Sequence, residues 1–401
     1  MKRLINLIRN NLFGFKTNRL ILNVFGYFSD DPGILPAPVS ILIAAPGGGN
    51  IGDQAMLESF IKNTPGEKIV ITSRSDGASL VEPYIDNVDC IFIDGLIYGN
   101  PIKFLPALQK FWSILRRSNR LYVVGADVMD GGYNVHASVM RSAIAEFAAK
   151  KGVPTRVLGF SWSNSPDVNA LKSIASAASR GVTLFARDPV SYERLVTSKV
   201  EGVVLSSDTV FSNQNLNEDG IDDLITFCQG KKIAIVNASG LVSKSIDQLS
   251  EYKTIISHLK SLGFTVVLLP HVIREGANDL DICSTIYRSV NDVYLVDRLL
   301  TPDQVRRIVS EAVLVVTGRM HLSIISLSRG VPAIVLSTQG KVDGLMEYFD
   351  TRELSIEPTV GFSSEVIEKI NQISSKYDYY TSLIDERLPS IVKLSNKNFN
   401  S

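Results

Sequence analysis

Arg319 and His321 stand two residues apart in VVTGRMHLSIISLSRGVPAIVLS, directly after an apolar run, Leu314–Thr317, and its closing Gly318. A guanidinium and an imidazole at the carboxyl end of a strand, where a helix begins, favour a bound anion through charge and through the helix dipole. An imidazole beside that anion can give or take a proton near neutral pH. The competing reading is a capped turn with a core histidine. A second cation follows another apolar run: VTLFARDPVSYERL puts Arg187 and Asp188 after Thr183–Ala186, and Pro189 and Ser191 open a helix. Here an arginine reaching a ligand competes with an Arg–Asp pair that fixes the helix start. Two arginines from two domains could clamp one small dianion, and closure on it would exclude water.

Three further places bear on chemistry. His271, in LLPHVIREGANDLDIC, ends the run Thr265–Leu269 ahead of Asp279 and Asp281. A ligand contact and a structural role both stay open for it. Asp127 and Asp130, in VVGADVMDGGYNVH, follow Leu121–Gly125. They could meet sugar hydroxyls or cap the next helix. Asp208, in SSDTVF, could orient a neighbour. The segment PGGGNIGDQAM carries Gly47, Gly48, Gly49 and Gly52 between the run Ile41–Ala45 and the helical stretch Gln54–Lys62. Glycines at such a turn often cradle phosphate. The GxxxxGK[ST] pattern is missing, and Gly47-x-Gly49-x-x-Gly52 fits GxGxxG only in spacing. The acid expected roughly 20 residues later falls near Ser73–Asp76, off the strand end. Asp53, inside the turn, would repel a pyrophosphate. Gly49 therefore reads as a close backbone approach, and Asn50 and Asp53 as contacts to a hydroxyl-bearing ligand, with a plain tight turn as the alternative. No GxSxG elbow or HExxH motif occurs.

The elements that must position these residues are legible. Apolar β-rich runs without alternation recur at Ile41–Ala45, Lys68–Thr72, Cys90–Ile93, Leu121–Gly125, Thr155–Phe160, Thr183–Ala186 and Val203–Leu205. After the polar stretch SNQNLNEDGIDD they resume at Lys232–Val236, Phe264–Leu269, Val293–Val296, Leu314–Thr317 and Ala333–Leu336. Such runs separated by helical stretches predict parallel sheets covered on both faces. The expected fold class is α/β: two doubly wound, Rossmann-like domains facing a cleft, with ligands at the carboxyl ends of the strands. The expected organisation is a basic amphipathic segment at 1–39, an N-terminal domain at 40–213, a C-terminal domain at 222–385 bearing the Arg-x-His site, and a loose polar tail at 390–401.

At 401 residues the chain exceeds one ordinary core, and zero net charge gives no argument for nucleic acid. Three scattered cysteines without CxxC predict no metal site and no disulfide framework, which fits a reducing cytoplasm. No apolar run approaches the roughly 18 residues of a membrane span. The first 28 residues carry Lys2, Arg3, Arg9, Lys16 and Arg19 and no acid before Asp30. Leu4, Ile5, Ile8, Leu12 and Phe13 would share one helical face. That pattern suits an interfacial helix on an anionic leaflet, or a helix packed on the body.

Together GGGNIGDQAM, ARDPVSYE, SDTVF and GRMHLSIISLSRGVPAIVLS, followed by KVDGLMEYF, resemble the polysaccharide pyruvyl transferase family over roughly 41–350. The resemblance implies the two-domain architecture of glycosyltransferase B enzymes and phosphoenolpyruvate as donor substrate, with no cofactor. It implies a pyruvate ketal bridging two hydroxyls of a cell-surface or exopolysaccharide glycan or its lipid-linked precursor; the basic N-terminus fits a partner at the inner face of the cytoplasmic membrane. By similarity, Arg187 and Arg319 hold the donor's phosphate and carboxylate, and His321 is the catalytic acid. Asp53 or Asp127 would accept a hydroxyl proton. GADVMDGGYN departs from the glycine-rich run of many members at Ala126 and Asp127. Two other readings remain: a nucleotide-sugar glycosyltransferase, with Glu275 or Asp279 on the ribose, and a non-catalytic scaffold of a glycan-assembly complex.

Overall fold

The computed structural model describes residues 14–29, 39–242, 246–276, 278–337 and 342–400. The apolar runs become two all-parallel sheets. The first contains β1 (Val39–Ile43), β2 (Glu67–Thr72), β3 (Val88–Phe92), β4 (Arg120–Ala126), β5 (Thr155–Phe160), β6 (Thr183–Ala186) and β7 (Val203–Leu205). The second contains β8 (Ile233–Asn237), β9 (Thr265–Leu268), β10 (Val293–Leu295), β11 (Ala312–Thr317), β12 (Ala333–Leu336) and β13 (Ser355–Ile356). Their orders are β3-β2-β1-β4-β5-β6-β7 and β10-β9-β8-β11-β12-β13. In each the winding reverses beside the sheet's first strand, between β1 and β4 and between β8 and β11. Helices diverge to opposite faces there, which leaves room for a ligand at the strand ends. Every expected strand is present. Only β13 went unforeseen, because two residues leave no run to read.

The chain divides into two compact units. Unit 1 is Met1–Gly48, Met56–Thr209 and Leu394–Ser401; unit 2 is Gly49–Ala55 and Val210–Lys393. The glycine-rich turn is thus shared in sequence: Gly47 and Gly48 belong to unit 1, and Gly49 to Ala55 join unit 2. Helix starts follow the sequence closely. Asp188 caps the helix Pro189–Thr197, and Thr301 with Gln304 forms a capping box on Pro302–Val309, each with proline at the first helical position.

The expected loose tail at 390–401 is instead packed. Helix Tyr377–Asn396 runs through its first half. Ser395 and Asn398 are fully buried: Ser395 Oγ donates to the Asp208 carbonyl, and Asn398 bonds both Ser207 and the Gly159 N–H. Its polar residues satisfy backbone groups at the strand ends of unit 1, a use that composition does not reveal.

The N-terminal residues Leu4, Ile5, Ile8, Leu12 and Phe13 lie outside the described residues. Helix Phe15–Phe28 packs its Leu22 into the core of unit 1, and Asn18, also buried, donates to the Gly99 carbonyl at 2.8 Å. Its opposite stripe, Leu20, Val24, Tyr27 and Phe28, is 50 to 85% exposed.

Candidate active site

The richest arrangement lies in unit 2, at the switch point between β8 and β11. Asn237 ends β8 and Thr317 ends β11; the Thr317 hydroxyl donates to Asn237 Oδ1 at 3.1 Å and accepts the Arg319 N–H at 2.9 Å. The strand ends thereby fix the backbone of Arg319. Its side chain meets Asp279, with Nη2 at 2.6 Å from Oδ1 and Nε at 3.1 and 3.2 Å from the two oxygens. Asp279 is fully buried and also accepts from Asn237 Nδ2 and from the backbone N–H groups of Gly240, His271 and Val272. That many donors occupy a carboxylate's lone pairs. Arg319 is 8% exposed, and its Nη1 has no protein partner among the described residues, so one donor face stays available.

His321 sits in the first turn of helix Met320–Leu327 and rests against Gly52. A Cβ on Gly52 would lie 2.3 Å from His321 Nδ1. This explains a glycine whose own backbone conformation is ordinary. The neighbouring turn is anchored as a short strand: Asn50 bridges Val272, the Ile273 N–H donates to the Gly49 carbonyl at 2.8 Å, and the Ile51 N–H donates to the His271 carbonyl. Gly49 has φ +67, and a Cβ there would lie 2.1 Å from the Ile273 oxygen. Asn50 Oδ1 accepts the Gly52 N–H at 3.0 Å, so its amide nitrogen is the group left to offer a ligand. Asp53 is half-buried in the first turn of helix Ile51–Asn63.

His271 is 1% exposed, and neither ring nitrogen has a hydrogen-bond partner among the described residues. Burial pushes its pKa well below the ordinary 6.5, and the positive charges of His321 and Arg319 push the same way. It is a neutral imidazole in the free protein.

Unit 1 holds the second arginine. Arg187 follows β6, donates from Nε to Ser161 Oγ at 2.8 Å and from Nη1 to Asp208 at 2.9 Å, and is 3% exposed. Its ion-pair partner is Asp208, not the adjacent Asp188. Asp188 receives the Ser191 N–H and hydroxyl, both at 2.7 Å, and the Ser161 hydroxyl at 3.0 Å. Arg187 Nη2 has no protein partner among the described residues. Asp127 lies half-buried just past β4, while Asp130 accepts the Gly132 N–H at 2.9 Å. The following helix, Val135–Lys150, is capped by Asn134 rather than by either aspartate. Sequence reading missed Arg141. This buried residue donates to the carbonyls of Ala44 and Val124 and so ties the ends of β1 and β4 at the switch point of unit 1. Sitting mid-helix among alanines and valines, it gave no motif to find. Among the described residues no cluster of three His, Cys, Asp or Glu could hold a metal ion.

A family model described as polysaccharide pyruvyl transferase matches residues 50–340. No curated protein matches. Solved structures share the fold at low identity. The UDP-GlcNAc 2-epimerase of Neisseria meningitidis bound to UDP-GlcNAc has a TM-score of 0.58 at 12% identity, over 90% of this chain and 97% of that one. UGT2 of Phytolacca americana, complexed with UDP-2fluoro-glucose and pterostilbene, has a TM-score of 0.59 at 11% identity, over 90% and 98%. HepE of Anabaena in complex with UDP-glucose has a TM-score of 0.55 at 13% identity, over 90% and 98%. The architecture is that of glycosyltransferase B enzymes and related epimerases.

Proposed function

The chain belongs to the polysaccharide pyruvyl transferase family, and we propose that it transfers the pyruvyl group of phosphoenolpyruvate to two hydroxyls of a saccharide, forming a pyruvate ketal. The observation that carries this reading is the pairing at the β8–β11 switch point: Arg319 with Nη1 to spare, and His321 seated on Gly52. In the proposed reaction His321 protonates C3 of the donor and C2 becomes oxocarbenium-like. One hydroxyl adds at C2, phosphate departs, and the second hydroxyl closes the ketal. Arg319 offsets the donor's negative charge where it is largest, and water-poor surroundings strengthen that contact. Asp53, Asp127 and the Asn50 amide are the groups assigned to the acceptor hydroxyls. The test is incubation with phosphoenolpyruvate and a panel of glycans, following phosphate release and an acid-labile gain in mass. No turnover with any acceptor, together with no donor binding by calorimetry, overturns it. Arg187, with Nη2 unengaged, is assigned to the donor as well. Arg187→Lys keeps a charge but loses the fork, and unchanged donor affinity would remove Arg187 from this role.

A nucleotide-sugar enzyme on this fold would need a carboxylate for the ribose. Asp279 is saturated by internal donors, and Glu275 is an exposed loop residue. Both facts weigh for the pyruvyl donor. A thermal-shift comparison of nucleotide sugars with phosphoenolpyruvate separates the two readings.

We further propose a peripheral contact with an anionic membrane through helix Phe15–Phe28, whose outward stripe is Leu20, Val24, Tyr27 and Phe28. No described helix is long and apolar enough to cross a membrane. A groove beside the helix is lined by Arg19, Lys150 and Lys151, with Glu146 pairing the first two. Because Asn18 and Leu22 belong to the core, deleting the whole helix would damage unit 1. The quadruple change of the stripe to serine is the cleaner test: sedimentation with anionic vesicles should be lost, and unchanged sedimentation overturns the proposal.

A further inference from the structure

We propose that His271 is the deep ligand of the anion bound at Arg319, and that it takes up a proton when that anion binds. The inference rests on the donor reading above for the identity of the anion, not for its existence. Two observations carry it. Both His271 ring nitrogens are buried without a partner among the described residues, whereas nearly all buried polar groups in folded proteins have one. And the backbone of His271 is held at both ends: its N–H donates to Asp279, the counter-ion of Arg319, and its carbonyl accepts from Ile51 in the glycine turn. A residue placed so firmly beside a cation, with its own polar atoms unsatisfied, is built to meet a ligand.

The charge balance gives the proton its direction. The titratable and charged groups near the ring are Arg319 and His321, from the turn after β11, and Asp279, which accepts the His271 N–H. In the free protein burial, with the Arg319 guanidinium nearby, keeps the ring neutral. A phosphorylated anion on Arg319 Nη1 reverses the local potential and gives a ring nitrogen an acceptor. The charged imidazole is then the favoured form. No bond to carbon changes in this step: one proton moves from solvent to His271.

The experiment is calorimetric titration of the full chain with phosphoenolpyruvate and, in parallel, with inorganic phosphate, near pH 7.5 in two buffers of different ionisation enthalpy. The wild-type protein should take up close to one more proton per anion than His271→Gln. The variant's affinity should fall about 10- to 100-fold, the range for a lost charge-assisted hydrogen bond. Equal proton uptake in both proteins overturns the proposal, as does an affinity within twofold of wild type. Phosphate binding with His271-dependent uptake, but no phosphoenolpyruvate binding, supports His271 and overturns the pyruvyl donor. Binding of neither anion overturns both. Should His271→Gln lack a melting transition, nitrogen-15 spectra of the wild-type imidazoles decide: His271 must shift to the doubly protonated form as phosphate is added, and no shift overturns the proposal.

Discussion

The two strand-end arginines look alike in sequence and differ in company. Arg187 and Arg319 each follow an apolar strand, each is paired to a buried aspartate, and each keeps one terminal nitrogen unengaged. Around Arg187 the partners are hydroxyls and carboxylates, Ser161, Asp188, Ser191 and Asp208, which hold one another in a closed network. Around Arg319 stand two imidazoles, one pressed on Gly52 and one with no hydrogen-bond partner for its ring among the described residues. A buried ion pair alone is weak support for function, since it also serves as a structural tie. Groups that can move a proton near neutral pH mark where chemistry can occur, and around Arg319 they stand beside an available guanidinium.

Four experiments break or sharpen this contrast. His321→Ala should lower kcat by about 10³-fold or more while phosphoenolpyruvate affinity stays within threefold, since general acid catalysis commonly contributes 10²–10⁴. A parallel loss of affinity would make His321 a binding group and erase the distinction between the sites. Asp279→Ala and Asp208→Ala each strand a buried arginine and should each lower stability by about 3–5 kcal/mol in urea unfolding. Asp279→Ala should also displace the His271 loop and weaken donor binding by more than Asp208→Ala, which disturbs Arg187 alone. Equal effects on donor binding would show that the two networks are equivalent.

Gly52→Ala tests geometry without touching charge. The new methyl group would lie 2.3 Å from His321 Nδ1, so the ring must shift. A misplacement on the order of 1 Å lowers kcat by about 10²-fold. An unaltered rate would mean the ring position is unimportant. The smallest effect is on stability against pH. His271 has a depressed pKa in the folded state, so the unfolded chain binds more protons below pH 6.5. Stability should therefore fall as pH drops below 6.5, by at most about 1.4 kcal/mol per pH unit from this one group. His136, also held low by burial, adds to the slope in unit 1. His271→Gln should flatten the acid limb of a denaturation series, and an unchanged slope would show that His271 is not held neutral.

Much of this was readable before folding. Continuous apolar strands, proline after a capping residue and the spacing of Arg319 and His321 are local signals, because strand burial and helix capping depend on near neighbours. The partners of the arginines were not readable. Asp208 is 21 residues from Arg187, and Asp279 is 40 from Arg319. The adjacent Asp188, one of the two readings open for Arg187, gives its oxygens to Ser191 and Ser161 instead. Asp279, the ribose carboxylate of the nucleotide-sugar alternative, is an internal counter-ion of Arg319. The tail at 390–401 misled because its polar composition matched a solvated end as well as a set of buried caps.

The sequence by itself determined the two parallel sheets and the strand ends that Arg187, His271, Arg319 and His321 follow. Only the tertiary structure decided that Gly49 to Ala55 leave unit 1 to pair with residues 271 to 273, and that Gly52 is the seat of His321. The physical reason is range. Periodicity and capping act over a few residues, whereas the charge balance and steric fit of a site arise from side chains brought together from distant segments. Which polar atoms remain unsatisfied there depends on all of them at once.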